Sequence, residues 1–102
     1  MAIVTATITV NGKKYSLEQA THAAQTFLGQ KKFSEAENIA RAIVKNRPDF
    51  HAGLQLLGVI LGEQGKCAEA VKYCEAAIAT QPGSTHQYNT LGIYLAGLNE
   101  LD

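Results

Sequence analysis

The run Leu54–Pro82, LQLLGVILGEQGKCAEAVKYCEAAIATQP, decides the fold. Leu54, Leu57 and Leu61, and then Ala70, Ala77 and Ile78, recur at helical spacing on either side of Gly65, so the run reads as two helices joined by a tight turn. The pattern repeats. A shift equal to the separation of Pro48 from Pro82 lays Lys32-Phe33-Ser34-Glu35-Ala36 on Lys66-Cys67-Ala68-Glu69-Ala70, Gln30 on Gln64 and Ala42 on Ala76. A second shift lays Leu91-Gly92 on Leu57-Gly58 and Leu95 on Leu61. A fixed period of about 34 residues with two helical patterns per unit means a helical repeat array, in which each unit buries its apolar face by stacking on its neighbours. The class of function is therefore binding, with the partner unnamed.

The period, the Leu57-Gly58-x-x-Leu61 run, the turn glycine Gly65, Ala70 and Ala77 in the second helix and the closing Pro82 together resemble the tetratricopeptide repeat (TPR) family. The resemblance spans residues 17–102, as repeats at about 17–50 and 51–84 and a partial one at 85–102. It implies an all-α, right-handed superhelix of about five helices, serving as a non-catalytic protein-interaction module. The first repeat departs from the pattern, with Ala20 and Ala24 in place of the usual large residue and glycine. The aromatic common near the start of the repeat is absent, and Leu61 and Leu95 stand where the family often has tyrosine.

Residues 1–15 lie outside the repeat. Val4, Ala6, Ile8 and Val10 alternate with Thr5, Thr7 and Thr9, the period of a half-buried strand. Asn11-Gly12 suits a two-residue hairpin turn, and Lys13-Lys14-Tyr15 returns as a second strand. A lone hairpin is marginal in water, so this arm is expected to lean on the first helix or to pair with another chain.

Helices are expected at about 17–29, 34–46, 50–64, 67–80 and 85–97. Ser16-x-x-Gln19, Ser34-x-x-Glu37 and Ser84-x-x-Gln87 read as capping boxes, and Asp49 as the cap of the third helix. That accounts for the serines as helix starts, leaving none as a nucleophile. The expected core is Ala23, Phe27, Ile39, Ile43, Leu54, Leu57, Leu61, Val71, Ile78, Leu91 and Leu95. Ala24, Gly58 and Gly92 share one repeat position, as do Ala36 and Ala70, and small residues there let helices approach closely. Pro48 and Pro82 end their helices, while Gly29, Gly62, Gly65 and Gly97 mark ends or turns.

Length allows one domain of 102 residues, and 46% hydrophobic content allows a modest core. Nine basic and nine acidic residues balance, which argues against nucleic acid or an anionic membrane as partner. No apolar run is long enough to span a bilayer, and Met1-Ala2-Ile3 lacks the basic start of a secretory signal. Cys67 and Cys74, about 10.5 Å apart along one helix, are beyond disulfide reach and read as small core residues, which fits the reducing cytoplasm.

Chemistry finds no purchase in the remaining residues. His22, His51 and His86 fall at three repeat positions without an i, i+4 partner, so no metal site is expected. The glutamates are dispersed rather than paired, and no glycine-rich run precedes a Lys-Ser/Thr pair, so no catalytic residue or cofactor is expected either. Arg41, Lys45 and Arg47 complement the dipole at the end of the second helix. The TPR resemblance implies a concave groove formed by the first helices of successive repeats. By position its lining would be Glu18, Thr21 and Gln25, then Gln55, Val59 and Glu63, then His86, Asn89 and Ile93. TPR proteins that hold the carboxylate tail of heat-shock chaperones use cations, which Thr21, Gln25, Gln55, Leu56 and Thr90 do not supply. The expected partner is thus a neutral or mildly basic protein segment or peptide.

The sequence also reaches Asp102 in mid-unit, with Tyr94, Leu98 and Leu101 where a terminal repeat normally turns polar. Two alternatives follow. The chain is the targeting segment of a larger enzyme, as in TPR-bearing bacterial transferases, or a homodimerisation element that uses its hairpin or its open third repeat.

Overall fold

The computed structural model describes residues 7–10, 12–81 and 85–100, with side chains throughout these except at 85–87 and 98–100. Two strands and five helices follow in order: β1 (Thr7–Val10), β2 (Lys13–Ser16), α1 (Leu17–Gly29), α2 (Phe33–Asn46), α3 (His51–Glu63), α4 (Cys67–Thr80) and α5 (Thr85–Glu100). Successive helices pack as neighbours, so the molecule is a stack measuring 51 × 29 × 18 Å. In addition α1 touches α3 and α3 touches α5, whereas the backbones of α2 and α4 do not meet. The odd helices are thus the crowded inner wall of the curve and the even helices its splayed outer wall.

Two turns of the same design build the repeat. Lys32 N–H donates to Phe27 O at 2.9 Å and Lys31 N–H to Leu28 O at 3.0 Å; one repeat on, Lys66 N–H donates to Leu61 O at 2.9 Å and Gly65 N–H to Gly62 O at 3.0 Å. Both are Schellman motifs, which need a left-handed residue after the helix. Gly65 fills that place with φ 80°, while its counterpart Lys31 does so with φ 61° and carries a side chain in a region glycine favours. From such a turn the chain enters the next helix directly, so the capping expected of Ser34 does not occur. Ser34 lies inside α2, Lys32 is the N-cap without a side-chain bond, and Glu37 points elsewhere. Asp49 does not cap α3 either: Phe50 is the N-cap, and Asp49 faces Arg47 at 3.6 Å. At Ser16 the capping box is complete, Gln19 N–H donating to Ser16 Oγ at 3.1 Å and Ser16 N–H to Gln19 Oε1 at 3.0 Å. Ser84, Pro82, Asn11, Val4 and Ala6, each given a role above, lie outside the described residues.

The core runs along the stack, with Ile43, Leu57, Ile60 and Leu61 fully buried at its centre. α3 is covered on two sides. A Cβ on Gly53 would meet Ile43 of α2 at 2.6 Å, and one on Gly58 would meet Cys74 Sγ of α4 at 2.8 Å, so both glycines set how closely the helices approach. Ile39, Ile43, Leu54, Leu57 and Leu61 are buried as expected; Ala23, Phe27, Val71, Ile78 and Leu91 are half-buried. Leu95 is not a core residue. It remains 42% exposed, because no described element packs on that side of α5. Gly97 does not mark a helix end but sits within α5 against Cys67, since that helix continues to Glu100. Both cysteines are free, Cys74 buried and Cys67 half-buried.

The hairpin pairs Ile8 with Tyr15 and Val10 with Lys13, and Gly12 turns it with φ 81°. It leans chiefly on α2 through β1, and on α1 through β2. Ile8, 3% exposed, belongs to the common core, with Val10 and Tyr15 packed beside it. The arm therefore finishes the first repeat by covering apolar surface that would otherwise face water.

Candidate binding face

The inner wall is built from the exposed side of α1, α3 and α5, and it holds two hollows. One of about 260 Å³ is bounded by Gln25 and Leu28 of α1 and by Ala52, Gln55, Leu56 and Val59 of α3. The other, about 700 Å³, is bounded by Val59, Gly62 and Glu63 of α3, Cys67 of α4, and Thr90, Ile93, Tyr94, Ala96 and Gly97 of α5. Val59 is the wall between them, so the hollows form one strip crossing three helices. Its surface is mostly aliphatic, with Ile93 67% exposed.

Of the residues expected on this face, Gln25, Gln55, Val59, Glu63 and Ile93 line the hollows. Glu18 and Asn89 are exposed but border neither. Thr21 is half-buried, and its hydroxyl donates to Leu17 O at 2.8 Å, so its proton is already used. The side chain of His86 lies outside the described residues. Leu28, Gly62 and Ala96 were not expected, yet they occupy one repeat position and follow Gln25, Val59 and Ile93 by three residues along the same helix faces. Helical spacing alone would have found them.

Tyr94 shapes the larger hollow. Its ring lies on the backbone of α3 at Gly62, where any side chain would overlap it, and its hydroxyl points at Val59 O from 3.5 Å. Burial first, and then the charges of Cys74, Glu63 and Cys67, push its phenol up to about 12, so it is a neutral hydrogen-bond donor through the physiological range. Cys74 behind it is held as a thiol, pushed up to about 11 by burial and then by Glu75. Neither group is arranged as a nucleophile with a base.

Charge divides between the two walls. No lysine or arginine occurs in α1, α3 or α5, where the charged residues are Glu18, Glu63 and Glu100. The cations lie on the hairpin, the turns and the even helices. On that outer side, Glu37 gathers Arg41 Nε at 2.6 Å, Gln64 Nε2 at 2.7 Å and Lys66 Nζ at 3.4 Å, and Arg41 reaches Glu69 at 3.6 Å. Arg41 is thus engaged between α2 and α4 rather than with the end of its own helix, where Lys45 alone of the three lies in the last turn.

No family model and no curated protein sequence matches the chain. Solved structures do. The first TPR of Spaghetti (RPAP3), in complex with the HSP90 peptide SRMEEVD, superposes with a TM-score of 0.79 at 22% identity, over 83% of this chain and 68% of that one. The fold is a tetratricopeptide repeat fold. A point mutant of MamA also superposes, with a TM-score of 0.69 at 19% identity, over 84% of this chain and 72% of that one. In TPR terms α1–α2 and α3–α4 are two repeats, and α5 is the first helix of a third. Among the described residues no helix is long and apolar enough to cross a membrane, and no three potential metal ligands are grouped.

Proposed function

We propose that the chain is a non-catalytic protein-interaction module that holds a neutral or mildly basic peptide segment along the inner wall of its TPR stack. The observation that carries this reading is the pair of aliphatic hollows joined at Val59 on a wall without a single cation. An apolar strip with a few polar groups is what a peptide's side chains fill, while Gln25, Gln55 and Tyr94 can hydrogen-bond its backbone. The acidic HSP90 peptide SRMEEVD bound by the RPAP3 domain would meet Glu18 and Glu63 here, with no lysine or arginine on the odd helices to compensate its carboxylates. The TPR likeness supports the class of module, and the charge of the wall supports the class of ligand.

A displayed library of extended peptides tests this. Aliphatic sequences, neutral or with a lysine or arginine, are expected to enrich, and Val59→Glu is expected to abolish their binding while leaving the helical circular dichroism unchanged. Enrichment of peptides ending in acidic residues and a free carboxylate would overturn the reading.

A further inference from the structure

The two hollows of the inner wall differ in charge. The smaller, between α1 and α3, is bounded by aliphatic side chains and the amides of Gln25 and Gln55, and no ionisable group lines it. The larger is lined by a carboxylate, that of Glu63, which is exposed and is the last residue of α3. A negative charge there adds to the negative end of the helix dipole, and the last turn of α3 holds no basic residue to offset it. The nearest cation in sequence, Lys66, turns its Nζ to Glu37 instead, at 3.4 Å. Glu37 and Glu69 also share Arg41, whereas among the described residues no lysine or arginine pairs with Glu63. Burial and then the charge of Cys74 lead the rise of the Tyr94 phenol, and the Glu63 carboxylate adds to it, so carboxylate and ring act on the same space.

We infer that the larger hollow receives one basic side chain of the bound segment, a lysine or arginine whose cationic head meets the Glu63 carboxylate and the Tyr94 ring. The inference rests on the peptide reading of this wall and adds to it the identity of one anchor. Shape and charge select that occupant together. Val59, Ile93, Ala96 and Gly97 give the hollow an apolar wall, and Ile93 is 67% exposed, so the carbon stem of a long basic side chain finds aliphatic surface beneath it. Its head then gains an unpaired carboxylate, the negative end of α3 and an aromatic ring in one place. An acidic side chain would meet like charge from both Glu63 and the helix end. The smaller hollow offers no carboxylate, so it takes a neutral aliphatic side chain. Unlike anchors in the two hollows give the bound segment a direction, its aliphatic anchor toward α1 and its basic anchor toward α5.

Fluorescence anisotropy tests this, with the full chain titrated into dye-labelled, C-terminally amidated peptides that carry one leucine and one arginine at graded separations. The same peptides with citrulline in place of arginine keep the shape of the side chain and remove its charge. The best arginine peptide is expected to bind about tenfold more tightly than its citrulline counterpart, the scale of an exposed ion pair together with a cation–π contact, and the gap should narrow as salt rises. Glu63→Gln should close most of the gap. Glu75→Gln, which removes the same charge from α4 on the outer wall, should leave it in place. Citrulline peptides that bind as tightly as arginine peptides, or a gap that Glu75→Gln closes as far as Glu63→Gln does, would overturn the inference. If Val59→Glu still abolished that binding, the peptide reading would stand without it, whereas no binding by any of the peptides would overturn both.

Discussion

α3 and α5 occupy the same place in successive repeats, yet one is the most deeply buried helix and the other carries the exposed apolar residues. At three of the four matched positions the side chains are alike in class, Leu57 with Leu91, Gly58 with Gly92 and Leu61 with Leu95; only what lies against them differs. α3 lies between α2 and α4, whereas α5 has α4 and α3 on one side and no described element on the other. In a stack, then, a residue type fixes where a side chain points, while its energetic weight comes from the neighbouring unit.

The sharpest way to break this comparison is to truncate both leucines. Leu61→Ala is expected to destabilise the fold by about 3 kcal/mol, because a fully buried leucine leaves a cavity, whereas Leu95→Ala in the dilute chain should cost well under about 1 kcal/mol. Chemical denaturation followed by circular dichroism measures both. Equal losses would show that α5 is as well packed as α3. Next in size is the glycine pair. Gly58→Val should cost about 2 kcal/mol, since its methyls have only Cys74 and the α4 backbone to displace. Gly92→Ala in the dilute chain should gain up to about 1 kcal/mol from helix propensity, having nothing to strike.

The junctions between repeats differ as well, and a third prediction rests on that. Glu37, with its side chain 15% exposed, ties α2 to the α3–α4 turn, but one repeat later the corresponding residue is Val71. The second junction relies instead on Tyr94 lying over Gly62 and Cys67 against Gly97. Glu37→Ala is expected to cost about 2 kcal/mol, the scale of hydrogen bonds to a charged group. The hydrogen bond from Gln64 first, and then Arg41 and Lys66, hold the Glu37 carboxyl below its ordinary value against the opposing effect of burial. A lowered folded value means the contribution is full above the unfolded glutamate range, about pH 4.3, and is lost as pH falls through the folded value. Acid denaturation should therefore lose a component in Glu37→Gln relative to the wild type. Smallest is Lys31→Gly, expected to stabilise by about 0.5–1 kcal/mol by relieving a left-handed lysine that Gly65 shows to be unnecessary.

Much of this architecture was readable from the repeat period. Periodicity gave the five helices to within three residues at every end, and turn chemistry gave the hairpin register, because both are local. The cap at Ser34 misled, since a Schellman turn that flows straight into the next helix leaves no room for a capping residue; Asp49 misled because α3 starts one residue later, with Phe50 as its N-cap, and Asp49 faces Arg47 instead. Leu95 misled for the reason α3 and α5 differ: hydrophobic spacing predicts a face, not its cover. On the inner wall, positions such as Gln25, Val59 and Ile93 were legible by repeat arithmetic. The contribution of Tyr94 was not, because its counterpart is Ile60 in the core, and only the approach of α5 to Gly62 brings its ring to the wall.

The shared wall at Val59 also sets a ruler. Neighbouring inner helices lie on the order of 10 Å apart, a distance an extended chain covers in about three residues at about 3.3 Å each. On the proposed reading, a ligand that fills both hollows needs a polyproline-like backbone, whose three-residue turn at about 3.1 Å per residue returns every third side chain to one face, so its signature would be the spacing of two anchors rather than any one side chain.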